Sequence, residues 1–271
     1  MESVIVRGHE IFYCDNGCNV EEWLKQGYLY GEANYQLLSS LIIDDGVIVD
    51  AGAHIGTFSF VPVFDGKAVL LIEASKENYV CLRQTFKDKS AEVWQGILAD
   101  RVKKCRFSQT NGPFGWLIDD EDGDHVTCTL DAIVNGRKVS GLKLDIEGGE
   151  IAALDGAAHT LAASKPPILM EVNGYCLMQH NNRSEDLLKK VSEHNYAIFV
   201  AFNSYWYRVD PDKLFPFCNT DVVCIHNDNL EKYKFAKANT MQDFELEYIA
   251  KDMCNKSNED CKSYFKMIGI E

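Results

Sequence analysis

The chain has 271 residues, of which 46% are hydrophobic and 25% are charged, and its formal net charge at pH 7 is −14. This length and apolar content suffice for one large domain with a full hydrophobic core. The negative charge repels phosphate backbones, so we expect no nucleic-acid partner. No apolar run reaches the roughly 18 residues that a membrane span needs, so we expect no membrane partner either.

The N-terminus and the cysteines indicate the compartment. The first ten residues carry charges at Glu2, Arg7 and Glu10 and lack the apolar stretch of a secretory signal peptide. Ten cysteines are scattered along the chain, several of them inside apolar runs, and they form no two pairs at zinc-like spacing. We therefore expect a cytoplasmic protein with reduced, mostly buried thiols.

Residues 1–45 predict an N-terminal cap segment. Val4 to Tyr13 has the pattern of a short strand pair, and residues 20–41 predict helices on both sides of a break between Gly27 and Gly31. The cap leads directly into the apolar runs of the main domain.

Between residues 46 and 227, short apolar runs alternate with helical or loop segments. This alternation predicts an α/β domain, doubly wound, with a mostly parallel seven-stranded sheet between helices. Residues 103–129 interrupt the pattern and predict an inserted hairpin with a long tip. Residues 228–271 are polar and predict a peripheral C-terminal helical extension. The seven runs are Val47–Ala51, Ala68–Ile72, Val93–Leu98, Gly141–Leu144, Ile168–Val172, Ala197–Phe202 and Val222–Ile225.

The first apolar run of this domain continues into a glycine turn. Asp50 ends the strand, and Gly52, His54 and Gly56 follow within six residues. A carboxylate at the carboxyl edge of an open α/β sheet suits a cationic group, such as the aminoacyl ammonium of S-adenosylmethionine, or it orders the turn itself. The glycine spacing differs from the G-x-G-x-x-G of nicotinamide enzymes, which weakens that alternative.

Acids also follow the next two apolar runs. Glu73 lies about twenty residues beyond the glycine turn, the spacing at which an acid accepts both ribose hydroxyls of an adenosine. Asp100 follows the third run and is placed to accept a hydrogen bond from an adenine amine. Each acid also fits a plainer role, Glu73 as a helix cap and Asp100 as a turn residue.

The segment Leu142–Glu150 ends a buried strand in acids and glycines. Strand alternation places Lys143 and Asp145 on one face, so Asp145 and Glu147 emerge together beside the predicted cofactor crevice. A carboxylate there can take a proton from an acceptor hydroxyl or orient that hydroxyl. Glu150 fits a helix cap, where early acids favour the helix dipole.

Glu171 lies within the next apolar run, where an unpaired charge is costly. It therefore either pairs with Lys143 across neighbouring strands or holds the acceptor. We assign no metal ligand, although Asp145, Glu147 and Glu171 leave a magnesium-assisted variant open. A tyrosine–tryptophan–tyrosine run at residues 205–207 either stacks on a sugar ring or packs at a strand edge.

Taken in order, these motifs resemble the FkbM family of methyltransferases. The matching segments are residues 49–56, 72–73, 129–131 and 143–150, followed by residues 154–157 and 165–171. The resemblance spans residues 35–175. It implies a Rossmann-like class I methyltransferase fold, S-adenosyl-L-methionine as cofactor, and a hydroxyl acceptor on a sugar or other small natural product.

Two positions depart from the family pattern. His54 stands where the family usually has Asn, and Ala74-Ser75 stands where Glu-Pro is common. A histidine in the loop suggests a cofactor pocket that is sensitive to pH near neutrality.

The main hypothesis is an O-methyltransferase acting on a small-molecule or glycan acceptor. Its alternatives are a catalytically degenerate methyltransferase-fold binding protein and a nicotinamide-dependent oxidoreductase. The sequence specifies neither the acceptor nor the oligomeric state. Predicted cofactor-binding residues are Asp50, Gly52, His54, Gly56, Glu73 and Asp100, and predicted catalytic residues are Asp145, Glu147 and Glu171.

Overall fold

The computed structural model describes residues 1–14, 19–109, 115–123, 125–202, 205–215 and 217–234, together with isolated positions between 249 and 266. Within these parts of the chain, no helix combines the length and the apolar character needed to cross a bilayer.

The first residues form a hairpin followed by two helices, as their pattern indicates. The elements are β1 (Glu2–Val6), β2 (His9–Tyr13), α1 (Asn19–Lys25) and α2 (Glu32–Leu41). Apolar side chains of the hairpin and of α1 form a cluster with Ile55, which belongs to the glycine turn. The N-terminal segment is therefore packed directly against the predicted cofactor loop.

The remaining elements follow the predicted alternation of strands and helices. In chain order they are β3 (Val47–Ala51), α3 (Phe60–Phe64), β4 (Val69–Glu73), α4 (Lys76–Thr85), β5 (Ala91–Gln95), β6 (Ile97–Leu98), β7 (Lys104–Gln109), β8 (Gly115–Asp119), β9 (His125–Cys128), α5 (Leu130–Val134), β10 (Val139–Leu144), α6 (Glu150–Asp155), α7 (Ala158–Ser164), β11 (Ile168–Asn173), α8 (Gly174–Gln179), α9 (Ser184–Glu193), β12 (Tyr196–Phe202), β13 (Tyr205–Val209), β14 (Asn219–His226) and a 3-10 helix (Asn227–Lys232).

The central sheet has the strand order β13-β12-β14-β11-β10-β3-β4-β5. Strands β5, β4, β3, β10 and β11 are parallel, and β14 is antiparallel to both β11 and β12. The doubly wound α/β class is confirmed. The sheet has one strand more than the seven predicted, because β13 pairs with β12 at the edge. Its residues are half-buried or exposed, so it has no continuous apolar run to reveal it.

Both faces of the parallel strands are covered. Every residue of β3 and β4 is buried, as is usual where helices cover a parallel sheet on both sides. Val49 and Leu70 belong to the core on one face, and Ile48 and Leu71 belong to the core on the other. This packing holds the carboxyl ends of the parallel strands at one edge.

A small second sheet begins with β6, the strand that follows β5 along the chain. Its order is β6-β9-β7-β8, and β7 pairs antiparallel with both β8 and β9. The predicted hairpin of two β-prone runs is present as β7 and β9, and the predicted long tip contains the additional strand β8. The turn sequence at residues 111–113 lies outside the described residues.

Most of the predicted C-terminal helical extension also lies outside the described residues. One of its described positions, Tyr264, is helical and fully buried. The Tyr264 hydroxyl donates a hydrogen bond to the carbonyl oxygen of Phe215 at 3.3 Å. At this position the extension belongs to the packed interior.

Candidate active site

A cavity of about 860 Å³ lies at the carboxyl edge of the parallel strands. This is the edge at which open α/β sheets bind their ligands. Its wall comes from the turn after β3, the turn after β4, residues 96–100, the segment after β10, and the N-terminal helices. The volume lies within the range of small-molecule and cofactor sites.

The glycine turn approaches the next strand very closely. Gly52 has φ +79°, and a Cβ atom there would lie 1.7 Å from the carbonyl oxygen of Asp145. Gly56 has φ +84°, and its Cβ would collide with the Phe86 ring on the helix side of the turn. Gly52 lines the cavity, whereas Gly56 packs against α4 behind it.

Asp50 is fully buried beneath the turn and does not line the cavity. Its Oδ2 accepts a hydrogen bond from Ser59 Oγ at 2.6 Å, and its Oδ1 lies 3.3 Å from Lys143 Nζ. The strand register explains the ion pair, since Lys143 lies directly opposite Asp50. Asp50 therefore orders the turn, and the cationic group that it contacts in this structure is the internal Lys143.

Lys143 connects three parts of this region. Besides Asp50, its ammonium contacts Asp145 Oδ2 at 3.2 Å and donates to the carbonyl oxygen of Gly52 at 3.0 Å. Burial alone lowers the pKa of Lys143, but Asp145 and Asp50 together raise it above its usual range. The pairing of Lys143 with Glu171 suggested by the sequence is wrong. Lys143 lies opposite Leu169, two residues short of Glu171, and its ammonium is bound on the β3 side.

Glu73 joins the end of β4 to the glycine turn. Its Oε2 accepts a hydrogen bond from the backbone N–H of His54, and its Oε1 accepts one from the N–H of Ser75, both at 2.8 Å. Burial raises the pKa of Glu73 to about 7, although the two N–H groups act in the opposite direction. The carboxylate lines the cavity and keeps lone pairs free for a ligand.

His54 lines the cavity and has a left-handed backbone conformation, with φ +50°. Its Nε2 is buried and has no hydrogen-bond partner among the described residues. Burial, assisted by Lys143, lowers the pKa of His54 to about 4. The ring is thus neutral near pH 7, which contradicts the pH sensitivity expected from the sequence.

Asp100 also lines the cavity, but from the small sheet. It follows β6, because the predicted third run is broken at Gly96 into β5 and β6. A Cβ atom at Gly96 would lie 2.3 Å from the Trp94 ring. Asp100 Oδ2 accepts a hydrogen bond from the exposed guanidinium of Arg101 at 2.9 Å.

Asp145, Glu147 and Glu171 come together on the part of the wall formed by the segment after β10 and the end of β11, and we call them the acidic triad. One carboxylate oxygen from each lies within 4.8 Å of the others. Cys176 Sγ donates a hydrogen bond to Glu147 Oε2 at 3.0 Å. Burial and the nearby Asp145 raise the pKa of Glu147 to about 7, and burial with Asp145 and Glu147 raises that of Glu171 well above its usual range.

Glu150 acts on the backbone rather than on the cavity. Its Oε1 accepts hydrogen bonds from the N–H groups of Ile146 and Gly148, at 3.0 and 3.2 Å. The helix-cap interpretation therefore fits Glu150. By holding the 146–148 backbone, it fixes the direction of Asp145 and Glu147.

The N-terminal helices contribute aromatic side chains to the cavity wall, which the sequence analysis does not predict. Trp23 and Tyr30 line the cavity, and their rings stack with centroids 5.0 Å apart. Both rings are exposed, at 39% and 58%. No pattern in residues 1–34 indicates that they reach the site, because only the fold brings them there. The aromatic run at residues 205–207 lies on the edge strand β13 and does not line the cavity.

A model of the methyltransferase FkbM domain matches residues 50–198. The chain belongs to this family. The match includes the glycine turn, Glu73, Lys143 and the acidic triad. The resemblance inferred from the sequence motifs is confirmed, and the sheet described above is the Rossmann-like class I methyltransferase fold.

Comparison with solved structures finds methyltransferases of low sequence identity. A methyltransferase FkbM from Methylobacillus flagellatus has a TM-score of 0.47 and 19% identity, covering 76% of this chain and 52% of that one. A TehB-like SAM-dependent methyltransferase from Corynebacterium glutamicum has a TM-score of 0.45 and 14% identity, covering 76% and 92%.

Magnesium protoporphyrin IX methyltransferase from Synechocystis, crystallised with bound SAM, has a TM-score of 0.42 and 12% identity, covering 79% and 88%. This chain spans about half the length of the Methylobacillus protein. A comparison with curated proteins gives no match.

Proposed function

We propose that this protein is an S-adenosylmethionine-dependent O-methyltransferase that methylates a hydroxyl group of a sugar or small natural product. Membership of the FkbM family supports the methyltransferase activity. The observation that carries the proposal is one cavity with two different walls. Glu73 and the glycine turn form one wall, and the acidic triad forms the other.

The glycine-turn wall fits the cofactor. His54 Nε2 is a buried polar atom without a partner among the described residues. Gly52 lines the cavity, and its missing Cβ lets the turn lie directly against the carbonyl group of Asp145. Glu73 accepts the ribose hydroxyls, and Asp100 accepts from the adenine amine. Asp50 acts from behind the wall by holding Lys143 and, through Ser59, the start of α3.

S-adenosylmethionine supplies a methyl group that the sulfonium already activates, so alignment of the acceptor is the main task of the protein. Asp145 is fixed by Lys143 and orients the acceptor hydroxyl. Burial raises the pKa of Glu147 to about 7, which suits a group that takes the hydroxyl proton at neutral pH. Glu171 completes the wall beside them.

The charge of the acceptor wall restricts the acceptor. Three neighbouring carboxyl groups favour hydrogen-bond donors such as hydroxyls and disfavour phosphates or carboxylates. The stacked rings of Trp23 and Tyr30 offer an apolar surface to the flat face of a sugar. We therefore propose that residues 46–227 form the catalytic domain and that residues 1–45 act as a cap that helps bind a neutral, polyhydroxylated acceptor.

Two measurements test this function. Isothermal titration of the folded protein with S-adenosylmethionine should show one site per chain, and the absence of heat would refute the proposal. Methyl transfer is then measured with a panel of hydroxylated acceptors, and we expect turnover with at least one of them. Asp145→Asn should abolish turnover and keep cofactor affinity, while the surface variant Glu92→Gln should change neither. Turnover that persists in Asp145→Asn would contradict the assigned role of Asp145.

A further inference from the structure

The acidic triad has the geometry of ligands around one cation. Oxygens bound to a single ion are separated by at most twice the metal–oxygen bond, which is about 4.2 Å for Mg²⁺ and about 4.8 Å for Ca²⁺. The three carboxylate oxygens of Asp145, Glu147 and Glu171 lie within 4.8 Å of one another and so satisfy the wider limit; binding Mg²⁺ requires them to move closer together. Carboxylate oxygens are the ligands that these hard cations prefer.

A second observation is the environment of the Glu171 side chain. Glu171 lines the cavity, yet its Oε2 is shut off from solvent and accepts no hydrogen bond from the described residues. A buried carboxylate oxygen without a partner is costly, so it requires a proton or a cation. The hydrogen bonds that do reach the triad leave oxygens free, because Cys176 occupies one oxygen of Glu147 and Lys143 one oxygen of Asp145.

The charge balance points the same way. Lys143 is the basic side chain in contact with the triad, and it already bridges Asp50, Asp145 and the carbonyl oxygen of Gly52. Its ion pairs therefore do not include Glu147 or Glu171. Glu150 and Asp221 add negative charge close to Glu171. The described part of this wall thus carries more acid than base.

We propose that Asp145, Glu147 and Glu171 bind one divalent cation of the Mg²⁺ or Mn²⁺ class. Three protein ligands leave three positions of an octahedral ion open. If the protein is the O-methyltransferase proposed above, two of these positions fit an acceptor with oxygens on adjacent carbons, such as a vicinal diol, and the third fits water.

The cation also has a chemical role in that reaction. A hydroxyl bound to the cation loses its proton more readily, and the proton passes to water or to a triad carboxylate. The oxygen electron pair then forms the bond to the methyl carbon while the carbon–sulfur bond breaks. Its electrons remain on the sulfur, which becomes a neutral thioether. No oxidant or reductant is required.

The test starts with binding of the metal alone. Chelator-treated protein is titrated with MnCl₂, without cofactor or acceptor, and free Mn²⁺ is followed by electron paramagnetic resonance. We expect one ion per chain, displaced by MgCl₂. Wild-type protein that is folded and binds no Mn²⁺ overturns the proposal.

Variants locate the ion. Glu171→Gln and Glu147→Gln each remove one charged ligand with little change of shape, and each should weaken Mn²⁺ binding by tenfold or more. Glu92→Gln, which changes an exposed acid paired with Arg137, should leave binding unchanged. Folding of each variant is checked by circular dichroism, and a folded Glu171→Gln or Glu147→Gln protein with wild-type affinity would place the ion elsewhere and overturn the assignment.

The cation site and the proposed function fail in distinguishable ways. Mn²⁺ binding without S-adenosylmethionine binding would support the cation site and refute the methyltransferase proposal. With an active protein, turnover should fall in chelator, return with Mg²⁺, and favour a vicinal diol over its monodeoxy analogue. Turnover that is unchanged in chelator would overturn the catalytic part of the inference.

Discussion

The ion pair beneath the glycine turn provides a quantitative test of the site's architecture. Lys143→Met removes the ammonium and keeps most of the side-chain volume. It leaves Asp50, which has 0% exposure, with the Ser59 hydroxyl as its one remaining partner among the described residues. Breaking a buried pair by removing one partner costs about 3–5 kcal/mol. Most of this cost is expected from Asp50, because the Asp145 side chain is 36% exposed and remains accessible to water.

A double-mutant cycle separates this cost from simple loss of contacts. Asp50→Asn alone removes the deep charge and leaves Lys143 paired with Asp145, so its cost should be about 1–3 kcal/mol. The double variant Lys143→Met, Asp50→Asn contains no unpaired charge beneath the turn. Its loss of stability should therefore be smaller than the sum of the two single losses, by about 2 kcal/mol or more.

The assay is urea unfolding followed by circular dichroism at pH 7. The affinity for S-adenosylhomocysteine, the demethylated product of the cofactor, is measured on the same samples. Additive losses would refute the buried ion pair. Because Asp50 does not line the cavity, the single variant Asp50→Asn should bind S-adenosylhomocysteine with wild-type affinity. A loss of about tenfold, equivalent to 1.4 kcal/mol, would show instead that Asp50 contacts the cofactor.

Three further outcomes are expected. In thermal unfolding, Gly52→Ala should destabilise the fold by several kcal/mol more than Gly66→Ala. Both positions have φ near +78°, but of the two only Gly52 faces a backbone oxygen. Equal losses of stability would exclude the clash at Gly52. Burial raises the pKa of Glu73 from 4.5 to about 7, so the native state binds the Glu73 proton more tightly than the unfolded state does. The resulting contribution to the free energy of unfolding is complete below pH 4.5 and is lost as the pH rises through 7. Glu73→Gln should flatten the fall in stability between pH 5 and 8 by up to about 3 kcal/mol, and an unchanged pH profile would contradict the shift. Trp23→Ala should raise KM for the acceptor without weakening cofactor binding, whereas Tyr205→Ala, on the edge strand, should change neither; a loss of cofactor affinity in Trp23→Ala would contradict the cap's role.

The predicted parts of the fold are those with strong local patterns. The buried parallel strands are continuous apolar runs because both faces are covered, so the sequence reveals them directly. The acids that follow them reach one cavity because parallel strands end at the same edge. Strands β8 and β13 lie at the edges of their sheets, and their short sequences lack the continuous aliphatic runs of the buried strands.

The details of the site depend on the register of the strands, which the sequence pattern does not contain. Lys143 was placed on the correct strand, but its partner was determined by the pairing of β10 with β3, which includes an irregularity between Val139 and Gly141. That register turns Asp50 from a predicted cofactor ligand into a support. The stacked Trp23 and Tyr30 reach the cavity only through packing of the N-terminal helices, more than a hundred residues from the triad.

Titration of S-adenosylhomocysteine into wild-type protein and Glu73→Ala tests whether the cavity binds the cofactor and whether Glu73 contributes to that binding. We expect one site per chain in the wild type and affinity at least about tenfold weaker in the variant, because the variant lacks the proposed contact of Glu73 with the ribose hydroxyls. Circular dichroism confirms that both samples are folded. A folded wild-type protein that gives no heat would contradict the proposed cofactor site. Equal affinities of wild type and Glu73→Ala would contradict the role of Glu73 in it.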